Sequence, residues 1–227
     1  ANATEYAKIM NLSRTNSGLP VLFADPNSLG AGTDWWGSGI RKYSPQRNAS
    51  FQMSGGTEKN KFALNVSYYD QESFYTKGDW KKFTARFSND FKLKNWISAG
   101  YMLNPRRESW NNTPYWFQDY MVIDPITPIY IPQDQRVGKN EYSIFSRSYY
   151  TYTWNPAARM ARQFGKGGAY SATTNAYLDI KPIKDLVIKS QISYDISYNL
   201  SNDFQPDFLI DGAHEKNEIN SVSRNES

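Results

Sequence analysis

Residues 61–70 read Lys-Phe-Ala-Leu-Asn-Val-Ser-Tyr-Tyr-Asp, and this stretch decides the fold because its side chains alternate in character. One set of alternate positions is apolar and contains Phe62, Leu64, Val66 and Tyr68. The intervening set contains Ala63, Asn65, Ser67 and Tyr69. A period of two is typical of a β-strand with one apolar and one polar face. The stretch therefore predicts a strand whose two faces meet different surroundings.

The same alternation recurs on both sides of this strand. It is found at residues 49–54, 83–91, 96–103, 172–180, 186–198 and 219–224. Together with 61–70, these stretches predict about seven strands, the last of which runs to the end of the chain.

The connections between the predicted strands alternate between short and long. Short turns lie at residues 55–60, 92–95 and 181–185, and longer connections lie at 71–79, 104–168 and 199–216. An antiparallel meander places successive connections at opposite ends of the sheet, so the short turns share one end. Outer-membrane β-barrels have this asymmetry, with short periplasmic turns and long extracellular loops. We therefore predict an all-β fold, an antiparallel segment of a transmembrane β-barrel.

The composition conceals this class. The 227 residues have a mean hydropathy of −0.71 and lack an apolar run of the ~20 residues that a membrane helix needs. A barrel strand escapes that test because every second residue faces the lumen and is polar. Aromatic residues make up 16% of the chain, which suits barrel girdles or a sugar-stacking surface. The net charge of +4 is scattered, so we expect no nucleic-acid partner.

The aromatic residues of the first strands predict a band at each membrane boundary. At the long-loop end the candidates are Tyr68, Tyr69, Phe74 and Tyr75, and at the short-turn end they are Phe91 and Trp96. Bands separated by one strand length are what a bilayer-spanning sheet shows.

We divide the chain into an N-terminal segment, residues 1–46, and a partial barrel, residues 47–227, which includes the long loop 104–168. The N-terminal segment reads as irregular, with a short helix that Thr4 could cap. We expect Trp35 and Trp36 to pack under a loop, and direct contact with a ligand is the lesser alternative. Prolines such as Pro105 argue against a central strand in the long loop, and residues 165–168 read as its flexible end.

The residues for common catalytic chemistry are missing from the sequence. His214 is the single histidine and there is no cysteine. The sequence therefore does not contain the residues for a metal site or a catalytic triad built from several histidines or cysteines. Asp70 and Glu72 could in principle act in glycoside hydrolysis, but in a hairpin loop we expect them to be solvated or hydrogen-bonded. We expect neither an enzyme, nor a cofactor, nor a metal.

Several motifs in order along the chain carry a family resemblance. They are Thr33-Asp34-Trp35 and residues 54–62, 68–72, 81–87, 95–100, 155–158 and 177–186. On these residues the sequence resembles the SusC/RagA family of TonB-dependent outer-membrane transporters. Ser73 departs from the pattern, since the family usually has glycine after Asp-Gln-Glu.

The resemblance implies a barrel of about 22 strands filled by a plug domain, so we expect this chain to be a piece of a larger transporter. It also implies location in the outer membrane among its lipids, a SusD-like lipoprotein as extracellular lid, and energy from the TonB system through parts absent from this chain. The implied substrates are glycans or peptides.

Aromatic residues of the long loop are the candidate contacts with substrate or lid. They are Trp110, Tyr115, Trp116, Tyr150, Tyr152 and Trp154. The same residues could instead pack on one another to give the loop a core. Two other interpretations stay open: a soluble all-β carbohydrate-binding module with aromatic-rich loops, and a purely structural barrel wall.

Overall fold

The computed structural model describes residues 1–112, 117–133, 144–148, 150–151, 153–205, 208–210, 213–215 and 219–226. Its main element is a seven-stranded antiparallel sheet in the order β1-β2-β3-β4-β5-β6-β9, and β7 pairs with β8 in a separate hairpin. The strands are β1 Gln46–Gly56, β2 Asn60–Glu72, β3 Asp79–Lys94, β4 Ile97–Asn112, β5 Phe164–Ile180, β6 Ile188–Gln205, β7 Phe208–Ile210, β8 Ala213–Glu215 and β9 Ile219–Glu226.

The predicted alternation of connections is confirmed for the sheet. Residues 57–59, 95–96 and 181–187 join strands at one end, and 73–78, 113–163 and 206–218 join them at the other. We call these the short-turn end and the long-connection end. The contrast is weaker than predicted, because 73–78 is no longer than 181–187. The hairpin β7–β8, which includes His214, lies within the last long connection.

The prediction of one loop over residues 104–168 is wrong at both ends. Strand β4 continues through Pro105 to Asn112, and β5 begins at Phe164 and contains residues 165–168. Pairing of β4 with β5 is continuous past Pro105, while the described pairing of β3 with β4 is interrupted there, between Arg106 and Leu103. A proline lacks the backbone N–H for one ladder bond, and the sheet accommodates it through this local gap.

The register places residues of similar polarity side by side in rows across the sheet. One row contains Met53, Leu64, Phe87, Leu103, Thr174 and Tyr194. A row on the other face, three residues along each strand, contains Ser50, Ser67, Thr84, Arg106, Ser171 and Ser197. We call these the apolar face and the polar face. Their separation confirms the alternation seen in the sequence.

The aromatic bands are only partly as predicted. Tyr68, Phe83, Tyr170 and Tyr198 share one row of the apolar face near the long-connection end. Phe91 lies on the same face, eight residues along β3 from Phe83, or about 27 Å along the strand. Tyr69, however, is on the polar face, and Tyr75 is buried beneath the long connection, because their backbone positions point them away from the apolar face.

The N-terminal segment is more regular than predicted. Helix α1 (Ala3–Asn16) begins with a capping box between Asn2 and Glu5, so Asn2 rather than Thr4 is the N-cap. A 3-10 helix (Pro26–Leu29) and α2 (Trp35–Gly39) follow, and the long connection contains α3 (Phe117–Val122) and α4 (Pro156–Arg162). Among the described residues, every helix is too short or too polar to span a membrane.

The buried apolar residues lie outside the sheet. One cluster joins Trp35, Tyr75, Tyr120, Ile123 and Met160, so it draws on the N-terminal segment, the 73–78 connection and the long connection. As predicted, Trp35 packs under a loop; it is 4% exposed, and its Nε1 donates to the Asp124 carbonyl at 2.9 Å. The same prediction is wrong for Trp36, which is 50% exposed. We call the packed unit formed by α2, the 73–78 connection and the described part of the long connection the loop assembly. In the described part of the chain, none of the buried apolar side chains belongs to β1–β6.

Candidate functional site

A cleft opens on the polar face at the long-connection end of the sheet. It has a volume of about 510 Å³ and is lined by Gln71, Ser73, Phe74, Tyr75, Asp79, Trp80, Trp110, Asn111 and Asn112. Strands β2, β3 and β4 supply most of these residues, and the 73–78 connection supplies the others. We call it the tryptophan cleft, because Trp80 and Trp110 are directly paired across β3 and β4.

The indoles are held by their neighbours on the polar face. Trp110 is paired with Gly167, where an added Cβ would come within 2.3 Å of the indole, so the ring lies against bare backbone. Trp80 meets the ring of Tyr69 edge-on at 5.2 Å, and the Lys82 ammonium lies 5.9 Å from the Trp80 ring. Both indoles remain partly exposed. Side chains fixed in this way offer contact area at little further entropic cost.

Polar groups edge the tryptophan cleft. The Tyr69 hydroxyl donates to the Gln71 side chain at 2.9 Å, and both residues lie on the polar face with the indoles. Asp79 and Asn111 also line the cleft, but they alternate with Trp80 and Trp110, so the Asn111 amide and the Asp79 carboxylate bond to each other on the side of Lys81, the apolar face. Flat apolar rings beside a side-chain amide and a hydroxyl can stack on a ligand ring and bond to its polar groups. The cleft therefore has the chemistry to bind a sugar or a peptide.

A buried carboxylate organises the loop assembly above the sheet. Asp124 is 1% exposed, and its Oδ1 accepts hydrogen bonds from the Thr127 backbone at 2.8 Å and the Thr127 hydroxyl at 2.9 Å. Its Oδ2 accepts from the Ser148 hydroxyl at 2.6 Å. The Trp35 indole bonds to the carbonyl of the same residue. Asp124 therefore ties distant parts of the long connection to the N-terminal segment.

Asn155 plays a similar part at the start of α4. Its Oδ1 accepts from the Ala158 backbone at 3.1 Å as an N-cap, while its amide donates to the carbonyls of Ile129 and Ser146 at 2.9 and 2.8 Å. The motif at residues 155–158, which carried part of the resemblance, is thus explained by packing.

Two ionisable groups in the loop assembly have shifted pKa values. Burial raises the pKa of Asp119, and Arg159, whose Nη1 lies 3.6 Å from Asp119 Oδ2, partly opposes that shift. Burial raises the pKa of Tyr120 to about 12, with smaller contributions from Tyr75 and Asp119. Such shifts accompany buried structural groups as well as functional ones. Here Tyr120 belongs to the apolar cluster, and neither Asp119 nor Tyr120 lines the tryptophan cleft.

The predicted contact residues have different surroundings. Trp110 lines the tryptophan cleft but belongs to β4, not to the loop. Tyr150 packs against Phe23 with ring centroids 5.2 Å apart, and Trp154 packs beside Phe145 and Ala158 with the Arg159 guanidinium 5.6 Å from its ring.

The remaining candidates, Tyr115, Trp116 and Tyr152, lie outside the described residues. Tyr150 thus packs against the N-terminal segment and Trp154 within the long connection, and contact of either residue with substrate or lid stays a prediction. Trp80 was missed, because the sequence does not show which residue of β3 is paired with Trp110.

The carboxylates considered for hydrolysis are engaged by arginines. Arg41 forms a close ion pair with Glu72, and Arg47 lies 3.7 Å from Asp70. Asp70 and Glu72 are half-buried at the end of β2. Within the described ranges, no cluster of three or more histidine or acidic side chains could hold a metal ion.

An exposed apolar patch lies on the loop assembly. It consists of Trp36, Phe117, Met121 and Val122, and the rings of Trp36 and Phe117 meet edge-on at 5.6 Å. Met121 is 67% exposed. We call these residues the loop patch. A contiguous apolar surface of this kind often marks a protein interface.

Comparison with known proteins places this architecture among transporters. No family model matches the chain. The TonB-dependent receptor P26 of Formosa agariphila is 22% identical over 200 residues, which cover 88% of this chain and 20% of the receptor.

Solved structures give the same likeness. The RagAB peptide importer in the 'closed-closed' state matches 78% of this chain with a TM-score of 0.62 and 16% identity. A structure of the RagAB peptide transporter matches 88% with the same TM-score and identity. The matched regions are 20% and 24% of those chains, so this chain spans about a fifth to a quarter of their length.

These comparisons confirm the resemblance to SusC/RagA-type TonB-dependent transporters. The structural likeness shows the fold, a segment of an antiparallel transmembrane β-barrel, and such a barrel is located in the outer membrane.

Proposed function

We propose that this chain forms part of the wall and extracellular mouth of a TonB-dependent importer of glycans or peptides. The observation that carries the proposal is the division of the sheet into an apolar face without a buried core and a polar face that ends in the tryptophan cleft. The apolar face meets lipid, the polar face lines the lumen, and the loop assembly stands outside the cell.

In this proposal the tryptophan cleft contacts the substrate as it enters. Trp80 and Trp110 stack on a sugar or on a peptide side chain, while the Gln71 amide beside them bonds to its polar groups. An aromatic stacking contact contributes about 0.5–1.5 kcal/mol beyond its buried area, enough to bias entry without blocking release. The chain has no catalytic part in this process.

We also propose that the loop patch is covered by a SusD-like lipoprotein that closes the mouth. The patch is exposed, apolar and carried by α2 and α3, which the buried cluster around Trp35 and Tyr120 holds in place. Aromatic residues and methionine are enriched in protein interfaces. The TonB system would act through parts of the protein outside this chain.

Uptake by cells that carry the full-length protein tests the substrate contact. Trp110→Ala and Trp80→Ala should each reduce uptake of the cognate oligosaccharide or peptide by about tenfold, the factor for ~1.4 kcal/mol, with unchanged barrel abundance. Trp96→Ala, at the short-turn end, is the matched control and should leave uptake intact. Unchanged uptake in both cleft variants would exclude this contact.

The lid is tested separately by co-purification. Met121→Arg in the loop patch should reduce recovery of the lipoprotein, whereas Lys77→Glu on a neighbouring exposed connection should not. Equal recovery from Met121→Arg and from the unaltered protein would show that the loop patch is not the contact.

The tryptophan cleft is also what a soluble carbohydrate-binding module would have. Such a module, however, buries the apolar face of its sheet against a second layer. Fractionation separates the alternatives, since the proposed importer is recovered with outer membranes and a soluble module is not.

A further inference from the structure

A groove crosses the apolar face near the long-connection end of the sheet. It has a volume of about 330 Å³ and is separate from the tryptophan cleft, which lies on the opposite face. Its lining consists of Phe83, Pro105, Arg106, Arg107, Tyr170, Ser171, Ala172, Ile196 and Tyr198. The groove spans β3 to β6, so four neighbouring strands build it.

The groove follows from the size of the residues in two adjacent rows. Pro105 and Ala172 are paired and form a low floor, while Phe83, Tyr170 and Tyr198 rise from the next row. Ile196, paired with Ala172, closes one side. On the outer wall of a barrel this position lies at the level of the aromatic girdle, where acyl chains meet headgroups.

A cation stands at the headgroup end of the groove. Arg107 is exposed, is paired with Phe83 and Tyr170, and holds its guanidinium 5.3 Å from the Tyr170 ring. The next row outward on the same face carries Arg47 and Lys81. Arg47 is paired with Asp70 at 3.7 Å and Lys81 with Asp79 at 3.7 Å, so the positive charge left over at this end of the groove is that of Arg107.

We propose that this groove is a binding site for a phosphorylated lipid of the outer membrane. One acyl chain lies over Pro105 and Ala172, and the phosphate accepts hydrogen bonds from Arg107. Charge complementarity indicates that the occupant is an anionic phospholipid, because the planar fork of an arginine matches phosphate oxygens and the phosphate of a zwitterionic lipid is already balanced by that lipid's own ammonium group. Stacking on Tyr170 holds the guanidinium ready for that contact.

Native mass spectrometry of the full-length protein tests the site. The protein is reconstituted in phosphatidylcholine nanodiscs that contain a minor fraction of phosphatidylglycerol, then released, and the retained lipids are counted. The unaltered protein should retain phosphatidylglycerol in preference to phosphatidylcholine. Arg107→Gln should weaken that retention by about tenfold, as expected for loss of a charge-assisted hydrogen bond.

Further variants separate the site from general effects. Arg86→Gln, on the polar face of β3, is the matched control and should retain phosphatidylglycerol normally. Ala172→Leu fills the groove and should reduce retention although Arg107 is intact. Arg107→Lys keeps the charge and should retain more phosphatidylglycerol than Arg107→Gln.

Two results would overturn the proposal. One is equal retention of both lipids by the unaltered protein, and the other is equal loss in Arg86→Gln and Arg107→Gln. Uptake of substrate is a separate readout, so failure here leaves the proposed importer function standing.

Discussion

At Gly167 the backbone of β5 passes directly beneath the indole of Trp110. The glycine is required because a Cβ would come within 2.3 Å of the ring, and the ring is held by the packing of the polar face. A glycine inside a strand commonly marks such a close approach. Residues 165–168 therefore belong to strand β5 and pack against aromatic and polar side chains; they are not the flexible end of a loop.

Gly167→Val should displace Trp110 from the tryptophan cleft. We expect a loss of about 1–3 kcal/mol in the free energy of unfolding from overpacking, together with reduced uptake. Urea unfolding in lipid vesicles measures the first effect. Gly168→Ala is the control, since its added Cβ meets its nearest neighbour at 3.2 Å, a backbone oxygen. Undiminished stability and uptake in Gly167→Val would show that the indole is not seated on the glycine.

Tyr120 gives a prediction about alkaline pH. Burial raises its pKa to about 12, above the ordinary value of 10.0, so the folded loop assembly holds the phenol proton more tightly than the unfolded chain does. This contribution to stability is fully present below pH 10 and is lost as the pH rises through about 12. We therefore expect the packing of the loop assembly to weaken as the pH rises from 10 to about 12. Tyrosinate absorbance measures the ionisation of Tyr120 over this range.

Tyr120→Phe supplies the comparison. In the described structure the Tyr120 hydroxyl is buried without a hydrogen-bond partner, so its removal should raise the free energy of unfolding at neutral pH by about 1–3 kcal/mol. The absorbance change of the variant near pH 12 should be smaller than that of the unaltered protein by one tyrosinate. A loss of more than about 1 kcal/mol would reveal a hydrogen bond that this account omits.

Among the strands, the row through Leu64 and Phe87 defines the lipid side of the sheet. Leu64→Arg or Phe87→Arg should cost about 2–4 kcal/mol if that row lies near the bilayer midplane. Asn65→Arg, one residue away on the polar face, should be tolerated much better. Urea unfolding in vesicles measures all three variants. Greater damage from Asn65→Arg would mean that the faces are reversed.

The strands were predictable from sequence because alternation survives wherever one face meets lipid and the other meets water. The ends of the strands could not be predicted in this way, because the alternation fades beyond the membrane while backbone pairing continues. Pro105 and Gly165 lie in such strand regions. Both were predicted to lie in a loop because proline and glycine are uncommon inside strands. The tryptophan cleft depends on the register between β3 and β4, which is set by the 95–96 turn and the irregularity between Lys92 and Lys94, and the alternation alone does not encode it.

In the whole molecule, the core and the sheet are separate. The buried apolar cluster lies in the loop assembly, where Trp35 meets Tyr120 and Met160, so the N-terminal segment and the long connection stabilise one another. The sheet exposes large apolar side chains such as Phe51 and Ile192. An exposed face of this extent needs a nonaqueous partner, and lipid is the partner that a barrel wall provides.

The central claim is that the chain crosses the outer membrane with its short turns in the periplasm and its loop assembly outside. Single cysteines at Lys59, in a short turn, and at Lys77, in a long-end connection, test it in a full-length protein from which any other cysteine has been removed. Both positions are exposed. With an impermeant thiol reagent on intact cells, Lys77→Cys should label and Lys59→Cys should label only after permeabilisation. Equal labelling of both on intact cells, or the reverse pattern, would contradict the account.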